Sequence, residues 1–330
     1  MATMAEQNNP DSQVPSSSEN PDSAEFVYNE FSHFAGNCNE YALPWDGQAQ
    51  VTRVSHELPD GRVASALKWG DGPPELVLLH GGAQNAHTWD TVALALRPCS
   101  ILAIDLAGHG HSDWRTDGGY GPENNADDAA AMIDKFAPAA TVLVGMSLGG
   151  LTANVLAATY PWLVERLVII DVTPGVTRNK AAEVHAFIEG PQHFASFTEI
   201  FDRTAEFNPT RSADSLRRGI LHNAHRLPDG SWEWNYDRRP ILQESIANPE
   251  DGDAATFAGD LWGEVADVQA PYLLLRGALS PVVDDEDVSE LLVRQPEARV
   301  QVIEGAGHSI QGDRPLELAS ILNEELSLTR

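Results

Sequence analysis

Apolar positions follow two rhythms along this chain, and their alternation predicts the architecture. Residues 51–58 and 62–69 alternate apolar and polar around Pro59-Asp60-Gly61, which predicts a β-hairpin. Short apolar, β-branched runs follow at 75–79, 100–106, 141–144, 167–171, 272–275 and 299–303, each the length of a buried strand. Between them, 86–96, 124–136, 148–157, 284–294 and 315–326 show helical spacing. Strands alternating with helices imply an α/β fold with a mostly parallel sheet covered on both faces. The rhythm breaks over residues 176–266, which read as mainly helical and carry Phe187, Phe194, Phe197, Trp232, Trp234 and Tyr236. That block predicts a helical cap inserted over the strand ends, where open α/β sheets bind ligands. The core is thereby divided into 49–175 and 267–330, with the cap between them.

The first residues differ from all of this. Residues 1–23 are rich in Asn, Ser, Pro, Asp and Gln, which predicts a disordered tail. Residues 24–48 bring in Phe26, Tyr28, Phe31, Phe34 and Tyr41, so they form an arm that packs on something. Its own domain and a second subunit are both open, the latter making a homo-oligomer. Apolar residues make up 42% of the 330, enough for a substantial core. No run approaches the ~18 apolar residues of a membrane span, and no signal peptide precedes the tail. Two cysteines, Cys38 and Cys99, make no disulfide framework and read as free thiols in a reducing cytoplasm. The net charge of −28, with lysine only at 68, 135 and 180, disfavours nucleic acid and anionic membrane as partners. No His-Glu-x-x-His or Cys-x-x-Cys pattern points to a metal, and no cofactor is expected.

The chemistry centres on Gly145-Met146-Ser147-Leu148-Gly149, a Gly-x-Ser-x-Gly nucleophile elbow between an apolar strand and a helix. Such a turn strains its corner residue, and the flanking glycines remove side chains that would collide. The serine hydroxyl is left at a helix N-terminus, where backbone N–H groups favour a developing anion. An ordinary serine is a poor nucleophile and needs a base within hydrogen-bond reach.

Four motifs in order, His80-Gly81-Gly82, Asp105-Leu106-Ala107-Gly108-His109-Gly110-His111-Ser112, the elbow, and Gly305-Ala306-Gly307-His308, together resemble the α/β-hydrolase superfamily. The resemblance covers residues 51–330 and implies an α/β-hydrolase fold with Ser147 as nucleophile and His308 as base. It implies an oxyanion hole made of the N–H groups of Leu148 and Gly82, with Ala83 the near alternative to Gly82. His80, His109 and His111 then brace their loops.

The acid departs from the common pattern. Its usual place after the seventh strand reads Gly277-Ala278-Leu279-Ser280, with a serine where an aspartate is expected. A minority of the superfamily carries the acid after the sixth strand, and Leu167-Val168-Ile169-Ile170-Asp171 ends that run with a carboxylate. Following four apolar residues, Asp171 is poorly solvated and needs a partner, for which His308 is the natural choice. Asp284 is the alternative acid, although Asp284-Asp285-Glu286-Asp287 looks like the charged start of a helix.

These residues point to hydrolysis of an ester or lactone of a hydrophobic small molecule through an acyl-enzyme, with Ala83, Met146, Trp232, Trp234 and Tyr236 lining the substrate site. A carbon–carbon bond hydrolase and a cofactor-free perhydrolase use the same triad. A serine at the elbow argues against haloalkane dehalogenase and epoxide hydrolase, which attack with a carboxylate. A ligand-sensing receptor that keeps the fold is the reading from another class.

Overall fold

The computed structural model describes residues 20–23, 25–238 and 261–329. The expected disordered tail over 1–19 and the cap expectations for 239–260 lie outside these residues. Strands β1 (Val51–Glu57), β2 (Val63–Trp69), β3 (Leu76–Leu79), β4 (Ile101–Asp105), β5 (Val142–Met146) and β6 (Arg166–Ile170) precede the cap. The cap holds β7 (His193–Phe194), β8 (Ala224–Arg226) and β9 (Trp232–Trp234), and β10 (Tyr272–Gly277) and β11 (Arg299–Ile303) follow it. The main sheet runs β1-β2-β4-β3-β5-β6-β10-β11. Its first two pairings are antiparallel and the remaining five parallel.

Alternation along each strand sends side chains to two separate cores. On β4, Leu102 and Ile104 enter one cluster while Ile101 and Ala103 enter the other. The first core is closed by helices α3 (Pro122–Phe136) and α4 (Leu148–Thr159) with Trp262–Asp267 and Asp285–Arg294. The second is closed by α1 (Phe34–Glu40), α2 (Asp90–Ala95) and Pro315–Ser327. Both faces of the central parallel strands β3, β4, β5 and β6 are therefore largely dry, as their apolar spelling requires, whereas the edge strand β11 is mostly exposed.

The arm lies on its own chain. Phe34 packs edge-on against Trp69 with ring centroids 5.0 Å apart, and Cys38 is buried beside it. The arm also starts earlier than the composition indicates. Asp22, inside the stretch read as a tail, accepts hydrogen bonds from the Phe197 amide at 2.7 Å and from Trp232 Nε1 at 3.1 Å. A carboxylate with two donors on the cap is no longer a free polar residue, which corrects the tail boundary for residues 20–23.

Arm, core and cap meet at a buried knot of imidazoles. His87 is held between Asp90 (2.9 Å) and Glu30 (3.0 Å), and its ring stacks on His222 of the cap at 3.8 Å. Tyr28 of the arm bonds His222 Nδ1 at 2.6 Å. Burial alone would lower the His87 pKa, but the two carboxylates outweigh it and push it up from 6.5 to about 9. A raised pKa adds stability that is complete below the unfolded value and disappears as pH rises through the folded one. The thermal midpoint of the wild type is therefore expected to fall between pH 6.5 and 9 by more than that of His87→Gln. Parallel profiles for the two proteins would show that the knot carries no charge.

The cap is less helical than its pattern indicates. Helices α5 (Ala182–Ile188), α6 (Phe197–Phe207) and α7 (Ala213–Asn223) are joined by a three-stranded antiparallel sheet, β7-β9-β8. Trp232 and Trp234 sit on its central strand rather than on a helix. Two residues of one spacing on a three-residue strand carry no usable period, so local pattern could not assign them.

Candidate active site

The elbow glycines are dictated by contact distances. A Cβ on Gly145 would lie 2.2 Å from the Gly149 carbonyl oxygen, and one on Gly149 would lie 2.4 Å from that of Leu79. Helix α4 can sit this close to β3 and β5 only without those side chains. Gly149→Ala is expected to destabilise the fold by about 1–3 kcal/mol or more, because backbone rather than a flexible side chain opposes the methyl group. An unchanged urea midpoint would mean that the strand–helix seam opens freely. The tight turn forces Ser147 into the left-handed region, φ 51°, where non-glycine residues are uncommon.

Asp171 leaves the end of β6 in the same region, φ 51°, and is fully buried. Its amide donates to the Leu275 carbonyl at 2.8 Å, fixing the turn to β10. The carboxylate accepts from His308 Nδ1 at 2.8 Å, from the Gly277 amide at 2.8 Å and from the Ser280 hydroxyl. Three donors satisfy a charge that would otherwise be costly at this depth. Ser280 stands where the common pattern has an aspartate, and its hydroxyl turns to brace the acid on the neighbouring strand end. Its role has no signal in the sequence beyond that displaced position.

Asp284 is placed elsewhere. It caps the helix Asp285–Arg294 by accepting from the Asp287 amide at 3.0 Å, and it pairs with Lys180 at 2.8 Å. Its carboxylate is thereby committed to a helix start and to the cap.

Ser147 and His308 line the same two cavities, of about 260 and 350 Å³. Leu151, Val176, Val184 and Ile188 make much of the first wall apolar. The second opens past Lys180, Phe207, Leu279 and Pro281. Gly82 and Ala83 border both. The Ala83 amide already donates to His109 Nε2 at 3.1 Å. Leu148 opens α4, so its N–H has no partner within the helix.

His80 and His109 are structural. His80 Nδ1 donates to the Gly81 carbonyl at 2.7 Å while Nε2 accepts from the Leu106 amide at 2.9 Å, a pattern that fixes a neutral ring. Burial pushes its pKa down to about 3 and lowers that of His109 as well.

The cap aromatics separate. Tyr236 borders the apolar cavity beside Ser147, and Trp234 borders a different cavity. Trp232 borders neither of the Ser147 cavities; it is 2% exposed and packs against Phe197 with ring centroids 5.1 Å apart. Its expected place in the substrate site is corrected: it belongs to the core of the cap, because its Nε1 is anchored by Asp22. Met146 borders the larger cavity with its sulfur against Gly81.

Comparison with known proteins agrees with this architecture. The profile described as the Alpha/beta hydrolase family matches residues 76–321. The chain is 45% identical over 296 residues to esterase Rv0045c of Mycobacterium tuberculosis, covering 86% of this chain and 94% of that one. It is 28% identical to 2-(acetamidomethylene)succinate hydrolase of Mesorhizobium japonicum, covering 82% and 94%. A solved structure of the M. tuberculosis esterase, from work on its inhibition by transition metals, superposes with a TM-score of 0.79 at 39% identity, over 92% of this chain and all of that one. The chain belongs to the alpha/beta hydrolase family and is a hydrolase of that fold.

Proposed function

We propose that this chain is a serine esterase of hydrophobic small molecules, with Ser147 as nucleophile, His308 as base and Asp171 as acid. The observation that carries the reading is the buried Asp171 carboxylate bonded to His308 Nδ1 at 2.8 Å, behind a ring that borders the Ser147 cavities. With its Nδ1–H donating a hydrogen bond to Asp171, His308 has the Nε2 lone pair left to take the serine proton. The serine oxygen bonds to the carbonyl carbon, and the carbonyl oxygen becomes an anion facing the N–H groups of Gly82 and Leu148. Collapse breaks the bond to the leaving alcohol, which takes the proton from His308. Water then loses a proton to the same ring and attacks the acyl-enzyme, and collapse releases the acid as the Ser147 oxygen takes that proton back from His308.

The relative named as an esterase supports ester cleavage, and the apolar cavity beside Ser147 supports a hydrophobic acyl or ring portion. A lactone satisfies the same description. A cytoplasmic setting belongs to this proposal too; among the described residues no helix is long and apolar enough to cross a membrane, and Cys38 and Cys99 are both free.

The test is a screen of 4-nitrophenyl esters, lactones and aromatic diketones, combined with labelling by a fluorophosphonate and mapping of the modified residue. Ester or lactone turnover with one label at Ser147 is the expected result. Diketone cleavage alone would assign carbon–carbon bond hydrolysis. Ligand-dependent thermal stabilisation with neither turnover nor label would assign a sensor.

A further inference from the structure

Beside the Ser147 cavities lies a third, polar cavity of about 160 Å³ where arm, cap and core meet. It shares Ala83, Gln84, Phe187 and Asn208 with the larger Ser147 cavity, so the two spaces adjoin along these residues. Its remaining wall is largely amide and hydroxyl, with Asn37, Thr88, Asn223 and Gln311 among the contributors.

Two guanidinium groups border this space, and they are treated differently. Arg218 is ion-paired with Glu40 of the arm. Arg211, on the loop between α6 and α7, donates from Nη2 and Nε to the Ser215 hydroxyl at 2.7 and 3.2 Å. Among the described residues it forms no ion pair with a carboxylate. The nearby acid Asp313 is engaged by the Thr210 hydroxyl at 2.9 Å and the Gly307 amide at 2.8 Å. The Arg211 head lies close against Gly312, where an added Cβ would sit 2.0 Å from its Nη1. Asp90, the carboxylate that borders the cavity, is already held by His87.

A guanidinium stays charged in proteins, and one neutral hydroxyl is poor compensation for removing it from water. Asp313 and Glu40 act on the Arg211 charge through space, but among the described residues neither forms an ion pair with it. A carboxylate or phosphate placed in the cavity would meet a fixed, partly desolvated cation, the arrangement in which charge-assisted bonds are strongest.

We infer that the third cavity receives a carboxylate carried by the substrate, held by Arg211, so that the preferred esters bear an acid several bonds from the scissile carbonyl. This rests on the reading of Ser147 as nucleophile. A free dicarboxylate presents the same chemistry, and the experiment separates the two sources.

Mono-4-nitrophenyl esters of straight dicarboxylic acids, from succinic to suberic, are compared with 4-nitrophenyl esters of monocarboxylic acids of equal length. The quantity read is the ratio of kcat/KM for acid over neutral ester at each length. In the wild type this ratio is expected to peak at one length. Arg211→Met should flatten the peak by about tenfold to a hundredfold, the scale of hydrogen bonds to a charged group, mainly through KM. Arg211→Lys should retain part of it. A flat ratio in the wild type, or equal losses on both ester series in Arg211→Met, would overturn the assignment.

Calorimetric titration of glutarate into Ser147→Ala, and into Ser147→Ala carrying Arg211→Met, reads the cavity without turnover. Binding lost with Arg211 supports the site even where the Ser147 reading fails. Glutarate binding together with a flat ester ratio would transfer the site to a free ligand and overturn the substrate assignment.

Discussion

Ser147→Ala should reduce ester turnover by about a million-fold, the scale on which removal of a triad serine is felt. The loss should fall on kcat, because the alanine variant keeps the apolar wall of Leu151, Val176 and Ile188 that would bind the substrate. The fold should survive. Ser147 contributes its backbone to the elbow, through its amide to the Ile170 carbonyl at 3.1 Å, and this bond does not involve the hydroxyl. Alanine does inherit the positive φ of 51°, but the glycines at 145 and 149 have already cleared the space around it. A thermal midpoint close to that of the wild type, with no burst of 4-nitrophenol and no fluorophosphonate label, is the expected combination. Substantial steady turnover in the variant would move the nucleophile to another residue and reduce Ser147 to a turn residue.

What local spelling could and could not predict follows from the range of the forces involved. The central strands were legible because they are buried on both faces and read as short apolar runs; 101–105 and 167–170 are fully apolar apart from the terminal Asp105, whereas the hairpin 51–69 was legible by its alternation. The elbow was legible because steric exclusion writes glycine at fixed offsets. Contacts between distant segments leave no such mark. Nothing in the spelling around His87 or His222 shows that their rings stack, or that Glu30 from the arm would supply the second carboxylate. The strand Trp232–Trp234 is too short for a period, and its first tryptophan is held by an aspartate from a stretch whose composition looked disordered. Sequence placed Tyr236 beside Ser147 and Trp232 with it, although only the former borders that space. Aromatic content marks a cap core and a substrate wall alike.

The acid is where sequence and structure were most informative together, and Asp171→Asn tests it. The serine at 280 showed that the usual position had been vacated, and the carboxylate at the end of an apolar strand showed where a replacement could stand. The geometry supports the proposed exchange, because Ser280 and the Gly277 amide both donate to Asp171 from the strand end that would otherwise carry the acid. An asparagine at 171 keeps the shape but removes the charge that would stabilise a protonated His308. Its amide nitrogen, turned toward His308 Nδ1, would also favour the wrong tautomer and leave Nε2 protonated. Turnover should fall by about ten-thousand-fold, as for triads that lose the charge with the geometry intact. Ser280→Ala removes one of three donors and should cost far less, while Asp284→Asn should change turnover only a few-fold, since Asp284 caps a helix and pairs with Lys180. A larger loss for Asp284→Asn than for Asp171→Asn would relocate the acid to the later loop, and with it the partner of His308.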